Sequence, residues 1–132
     1  MILLDANVIL RYLLNDHEQM SAQAEKYIQE ENACVTIEVA AEVVYVLRRV
    51  YSVERNKISE SVKCILNQMS CTEPEVLHEA LSIYGETSLD FVDCVLCAYH
   101  AVKGHEIRTF DKKLMKHLKR EQSDACSNSY LA

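Results

Sequence analysis

Glycine and proline are almost missing from this chain. Its 132 residues include two Gly, Gly85 and Gly104, and one Pro, Pro74. That leaves no room for a flexible linker or a low-complexity tract, and it excludes a glycine-rich phosphate loop. No internal repeat is visible. No apolar run approaches the roughly 18 residues of a membrane span, so no membrane partner is expected. The opening MILLD has neither the basic region nor the small-residue cleavage site of a signal peptide. The reading is a cytoplasmic protein.

What is present is an ample core. Hydrophobic residues make up 49% of the chain and charged residues 26%, ordinary for a soluble globule. The length suits a single domain over 1–132, since one core commonly occupies about 100–150 residues. A chain this apolar does not need disulfide staples. The six cysteines (Cys34, Cys64, Cys71, Cys94, Cys97, Cys126) are therefore read as reduced thiols acting as small core residues. Cys94-x-x-Cys97 lies in a run that reads as a helix interior, and one such pair is a weak zinc or redox signal.

The net charge of −6 argues at first against a nucleic-acid partner, but its distribution is uneven. Residues 103–120 hold seven Lys or Arg against Glu106 and Asp111, a net of +5, which leaves −11 for the rest. That asymmetry fits a basic ridge beside an acidic pocket.

Along the chain, strands and helices alternate. Ile2–Leu4 reads as a short buried parallel strand, with helices over Ala6–Asn15 and His17–Glu31, the second placing Met20, Ala24, Tyr27 and Ile28 on one face. Ala33–Ile37 reads as a strand with Thr36 available as a helix cap, followed by an apolar helix over Glu38–Tyr51. An amphipathic helix over Asn56–Met69 directs Ile58, Val62, Ile65 and Leu66 inward, and Ser70–Glu73 reads as a brief strand. Pro74 opens a helix to Tyr84. Ser88 is read as the cap of a helix over Leu89–Val102 that Gly104 ends. Glu106–Phe110 is predicted as a further strand and Lys112–Arg120 as a last helix. Such alternation implies a parallel sheet covered on both faces, with its functional crevice at the carboxyl ends of the strands.

Acidic side chains fall where that crevice should be. Asp5 and Asp111 each follow a predicted strand. In the helix over 38–51, Glu38, Glu42, Tyr45 and Arg49 are spaced 4, 3 and 4, so they share one stripe. In the helix over 89–102, Asp90, Asp93, Cys97 and His100 are spaced 3, 4 and 3. Both helices are otherwise apolar, so each stripe is expected to line a cleft rather than open solvent. Four carboxylates, Asp5, Glu42, Asp93 and Asp111, would then converge from four elements. Like charges crowd in a partly buried cleft only at a cost, which a cation removes. Oxygen-only ligands suit a hard divalent ion, Mg²⁺ or Mn²⁺. Each acid also has a plainer reading: Asp5 and Asp111 as helix caps, Glu38 as a first-turn acid, Asp90 as a partner of the helix N-terminus. Asn7 is placed to bond the neighbouring backbone or the Asp5 carboxylate.

These residues in this order resemble the PIN-domain family and, within it, the VapC-type toxins of bacterial toxin–antitoxin pairs. The matching pieces are LLDANVIL at Leu3–Leu10, VAAEVVYVL at Val39–Leu47, LDFVDCVLCAYHA at Leu89–Ala101 and TFDKKL at Thr109–Leu114. The family's acids fall on Asp5, Glu42, Asp93 and Asp111, which the resemblance makes both catalytic and metal-ligating. Its customary Asn falls on Asn7. Thr109 would help position the metal water, and Asp90 would support the cluster. The resemblance implies a three-layer α/β/α sandwich with a central parallel sheet, Mg²⁺- or Mn²⁺-dependent endoribonuclease activity on RNA, a homodimer and a cognate antitoxin. Lys112, Lys113, Lys116 and Lys119, on the helix after Asp111, are the expected RNA contacts. Two departures stand out: the tail SDACSNSYLA lacks a convincing final strand, and CVLCAYH is unusually cysteine-rich.

Other classes fit less well. An aspartate-nucleophile phosphatase needs a second Asp two residues after the first, where Asn7 stands. A receiver domain wants adjacent acids near the first strand, which Leu4-Asp5-Ala6 does not supply. The alternative kept is a catalytically inactive PIN-like protein-binding module, although a scaffold has no reason to retain crowded charge.

Overall fold

A computed structural model describes residues 1–120; the tail singled out above lies outside the described residues. Three short parallel strands form the sheet: β1 (Ile2–Leu3), β2 (Ala33–Val35) and β3 (Ser70–Cys71), in the order β1-β2-β3. Ile2 pairs with Ala33 and Cys34 with Ser70. Parallel neighbours require crossovers. Helices α1 (Ala6–Leu14) and α2 (Glu18–Ile28) supply the first, and α3 (Ile37–Arg49) and α4 (Arg55–Leu66) the second. After β3 come α5 (Pro74–Glu86), α6 (Phe91–Lys103) and a last helix, α7, over 112–120. The architecture is the expected α/β sandwich.

Local chemistry explains most element boundaries. Thr36 caps α3, its Oγ1 accepting the Val39 N–H at 3.2 Å. Pro74 stands in the first turn of α5, where its missing N–H has no cost. Gly104 ends α6 at φ 71°, a left-handed conformation that a side chain resists. The core gathers Ile9, Ile28, Val43, Val44, Ile58, Val62, Leu77, Leu81, Cys94 and Leu114, each at most 2% exposed. The inward face of α4 is the one expected: Ile58, Val62, Ile65 and Leu66 are all buried.

Five expectations need correction. First, 106–110 is not a strand. Glu106 and Arg108 pair with each other at 2.9 Å in solvent, and only Ile107 packs on the core. Phe110 projects fully into water, and among the described residues no backbone hydrogen bond ties the segment to the sheet. Second, β1 is not buried: Ile2 and Leu3 are exposed at a sheet edge, and Leu4 carries the burial instead. Third, α2 turns inward on Ser21, Ala24 and Ile28, leaving Met20 and Tyr27 exposed. Ser21 is accommodated because its hydroxyl donates to the Arg11 carbonyl at 2.8 Å. Fourth, α6 starts at Phe91 with Asp90 at the cap position, so Ser88 does not cap it. Fifth, the thiols are not uniformly core. Cys34, Cys94 and Cys97 are buried, Cys71 is half-buried and Cys64 is exposed. Burial pushes the Cys94 thiol up to about 11, so it is protonated and unreactive at neutral pH.

Candidate active site

The carboxyl ends of the three strands lie along one edge of the sheet. Asp5 follows β1, Thr36 follows β2, and Thr72 follows β3, where its hydroxyl accepts the Ile37 N–H at 2.8 Å. At this edge the chain turns from strand to helix, and helix N-termini favour carboxylates.

Asp5 sits at the cap position of α1, where Oδ1 accepts the Val8 N–H at 3.1 Å. Asp111 does the same for α7, with Oδ1 accepting the Leu114 N–H at 2.8 Å. Both plainer readings are therefore realised in the fold. They do not use up the groups, because each cap bond engages one oxygen of an exposed side chain. Thr109 holds Asp111 in place: its Oγ1 accepts the Asp111 N–H at 3.0 Å. That turn fixes Asp111 where the expected strand would have done so.

Asp93 is the half-buried acid of the set. Burial raises its carboxyl above the usual range, and the negative charges of Asp111 and then Asp90 raise it further, while Lys113 acts in the opposite sense. The structure thus brings Asp111 and Asp90 within electrostatic reach of Asp93. Because α6 begins at Phe91, Asp93 lies in its first turn rather than beyond it. Asp90 makes no side-chain cap bond although it occupies the cap position.

Glu42 is exposed on the second turn of α3, whose buried side is Ala40, Val43, Val44 and Leu47. The stripe of Glu38, Glu42, Tyr45 and Arg49 does form one face, but that face opens to solvent rather than lining a closed cleft. On α6 the expected stripe divides, because Cys97 is wholly buried while Asp90 is exposed. No hydrogen bond or ion pair among the described residues joins Asp5 or Glu42 to Asp93 or Asp111. Asn7 is exposed and lines a groove with Val8, Arg11, Met20 and Tyr27. Among the described residues it has no hydrogen bond to Asp5.

The donors suit a hard cation in kind. They are carboxylate oxygens, they accumulate negative charge, and the three ion pairs among the described residues all lie elsewhere, at Arg11–Asp16, Lys103–Glu73 and Arg108–Glu106. They do not stand as a closed cage: among the described residues no three His, Cys, Asp or Glu side chains are grouped to hold a metal.

Two grooves lie in this region, one along α7 and one with Asp93 in its wall. One, of about 390 Å³, is lined by Thr87, Ser88, Lys113, Lys116, His117 and Arg120. Lys113 Nζ donates to the Ser88 carbonyl at 2.8 Å, which ties α7 to the loop before α6. Lys113 and Lys116 thus face this groove, whereas Lys112 and Lys119 are exposed on other sides of the helix. The other groove, of about 430 Å³, lies between α3 and the start of α6, with Asp90 and Asp93 in its wall.

Sequence reading gave no sign of the clamp that shapes this region. Arg55, at the start of α4, donates to the Tyr84 carbonyl at 3.0 Å and to the Leu89 carbonyl. Its guanidinium lies 3.7 Å from the Tyr84 ring centroid. Thr87 adds a second restraint, donating to the Ile83 carbonyl at 2.8 Å and accepting the Leu89 N–H at 3.3 Å. Together they hold 87–90 out of helix and set where Asp90 and Asp93 begin. No local pattern around Arg55 announces a contact about thirty residues away.

Comparison with known proteins bears on the fold that carries these residues. A family model described as the PIN domain matches residues 2–121. The chain is 30% identical over 122 residues to a protein named VapC ribonuclease from Aquifex aeolicus (strain VF5), a span covering 86% of this chain and 90% of that protein. No solved structure gives a significant match.

Proposed function

This chain belongs to the PIN-domain family, and on that premise we propose that it is an Mg²⁺- or Mn²⁺-dependent endoribonuclease, the toxin of a toxin–antitoxin pair. The observation that carries the reading is Asp93, half-buried and raised by burial and by Asp111 and Asp90, with no ion pair among the described residues to relieve it. A fold without further use for that charge gains by losing it. Asp93 and Asp111 would hold the cation, with Asp5 and Glu42 closing on it from the strand edge and α3, and Thr109 fixing Asp111. When bound, such an ion polarises a phosphoryl oxygen and lowers the pKa of a coordinated water. The chain's own part is to orient four carboxylates on the ion, and to place cationic side chains where the RNA backbone runs.

Lys113 and Lys116, with Arg120, are suited to that second task, because they line one groove on the helix that Asp111 caps. Replacing all three with Ala should weaken RNA binding and flatten its salt dependence by about 0.7 log units per lost contact, the value for single strands. Titrations of labelled RNA at several salt concentrations read this directly. An unchanged salt slope would place the RNA elsewhere.

The reading extends to partners. A cognate antitoxin would neutralise the acids most simply by laying an Arg or Lys among them. A homodimer and a cytoplasmic location complete the proposal; no helix among the described residues is long and apolar enough to cross a membrane. The assay that tests the function as a whole is cleavage of RNA by the purified protein with added Mn²⁺ or Mg²⁺.

A further inference from the structure

We propose that Arg55 is a positioning residue of the active site: by holding the carbonyls on either side of the turn from α5 to α6, it fixes the direction in which Asp93 meets the cation. The inference rests on the ribonuclease reading above and adds a residue that serves the metal through the backbone it holds.

Local preference does not explain an arginine here. Arg55 is the first residue of α4, where the helix dipole disfavours a cation, and Glu54 before it makes no side-chain cap bond. Its partners lie on α5 and beyond. The Tyr84 carbonyl belongs to the last turn of α5, among the four that have no partner within a helix, and Arg55 Nε donates to it at 3.0 Å. Nη2 donates to the carbonyl of Leu89, the residue before the cap position of α6. One planar fork thus spans the whole turn, a grip that an ammonium does not reproduce.

Close packing makes that reach possible. A Cβ on Gly85 would lie 3.1 Å from the Ser59 Cβ, so α4 and α5 approach this closely because position 85 is glycine. The Arg55 guanidinium lies 3.7 Å from the Tyr84 ring centroid, and Tyr84 meets Phe91 edge to face at 5.8 Å. Phe91 is buried and opens α6. The first turn of α6, which carries Asp93, is therefore held through its backbone at Leu89 and through its ring at Phe91. Charge is not the means. The cation that acts on Asp93 is Lys113, and Arg55 forms no ion pair among the described residues. Yet Arg55 lines the same groove as Asp90 and Asp93. Removing an outer partner that orients a metal ligand costs about 10- to 100-fold in metal affinity or activity.

The test compares Arg55→Lys and Arg55→Met in the full chain. Val62→Ala, on the buried face of α4, is the variant that loosens packing away from the turn. Mn²⁺ binding is read by calorimetry without RNA, and amide exchange by NMR. Both Arg55 variants should weaken Mn²⁺ binding about 10- to 100-fold, Lys included, since it keeps the charge and loses the fork. Exchange should quicken at the Cys94 amide, whose 3.0 Å bond to the Asp90 carbonyl opens α6, and not at the Ala40 amide, which opens α3 in the same way. Val62→Ala should melt lower yet bind Mn²⁺ as wild type does. Full affinity in Arg55→Lys would make the role one of charge and overturn the proposal. So would unchanged affinity in both variants, an equal loss in Val62→Ala, or failure of both Arg55 variants to fold where Val62→Ala folds. Each of those results leaves the ribonuclease reading standing. A wild-type chain that binds no Mn²⁺ would overturn that reading, and this proposal with it.

Discussion

Asp93→Asn is expected to reduce RNA cleavage by at least about 10²-fold, since removing one preorganised electrostatic group at a reacting centre costs about 10²–10³-fold. The same change should raise the melting temperature in chelator. The sign follows from the direction of the shift. Burial, Asp111 and Asp90 raise the Asp93 carboxyl in the folded protein. The stability it contributes is therefore present below the unfolded-state value and lost as pH rises through the folded-state value. Above that range the ionised group destabilises the metal-free fold, and Asn, uncharged at every pH, does not. The stability gap between variant and wild type should therefore close in acid. Asp90→Asn is the control. Asp90 is exposed and makes no cap bond, so this variant should keep measurable cleavage and change stability little. An inactive Asp90→Asn beside an active Asp93→Asn would reverse the assignment of the third acid.

The second large effect separates structure from chemistry at Asp5. Its Oδ1 caps α1 through the Val8 N–H, so any substitution tests both roles unless the cap is preserved. Asn caps about as well as Asp, whereas Ala costs about 1 kcal/mol. Asp5→Asn should therefore melt close to wild type, and Asp5→Ala about 4 °C lower for a chain of this size. Both should lose cleavage by about 10²-fold or more, since neither supplies a carboxylate to the cation. If cleavage instead tracks the melting temperature, with Asn active and Ala impaired, Asp5 is a cap and nothing more.

Much of this was legible in the sequence, for physical reasons that differ by residue. Thr36, Pro74 and Gly104 act through their own backbone neighbours, so a local reading finds them. The inward face of α4 follows from spacing alone, because Ile58, Val62, Ile65 and Leu66 permit one burial solution. The acids were legible as positions but not as surroundings. Spacing put Glu42, Tyr45 and Arg49 on one face of α3, but what stands opposite that face depends on tertiary packing. The start of α6 was misplaced for the same reason. Ser88 looks like a cap, yet Arg55 holds the Tyr84 and Leu89 carbonyls from a distant element, and the helix begins only at Phe91. In 106–110 the alternation that suggests a strand is satisfied instead by one packed residue, Ile107, and a local Glu106–Arg108 pair.

The central claim is that Asp5, Glu42, Asp93 and Asp111 act together through a divalent cation on RNA. It is tested most directly by following cleavage of a labelled single-stranded RNA by the purified chain in Mn²⁺, in EDTA, and in EDTA followed by excess Mn²⁺, with Asp93→Asn run in parallel. The account predicts cleavage in Mn²⁺, none in EDTA, recovery on adding metal back, and no cleavage by the variant in any condition. Undiminished cleavage in EDTA, or full metal-dependent cleavage by Asp93→Asn, would contradict it.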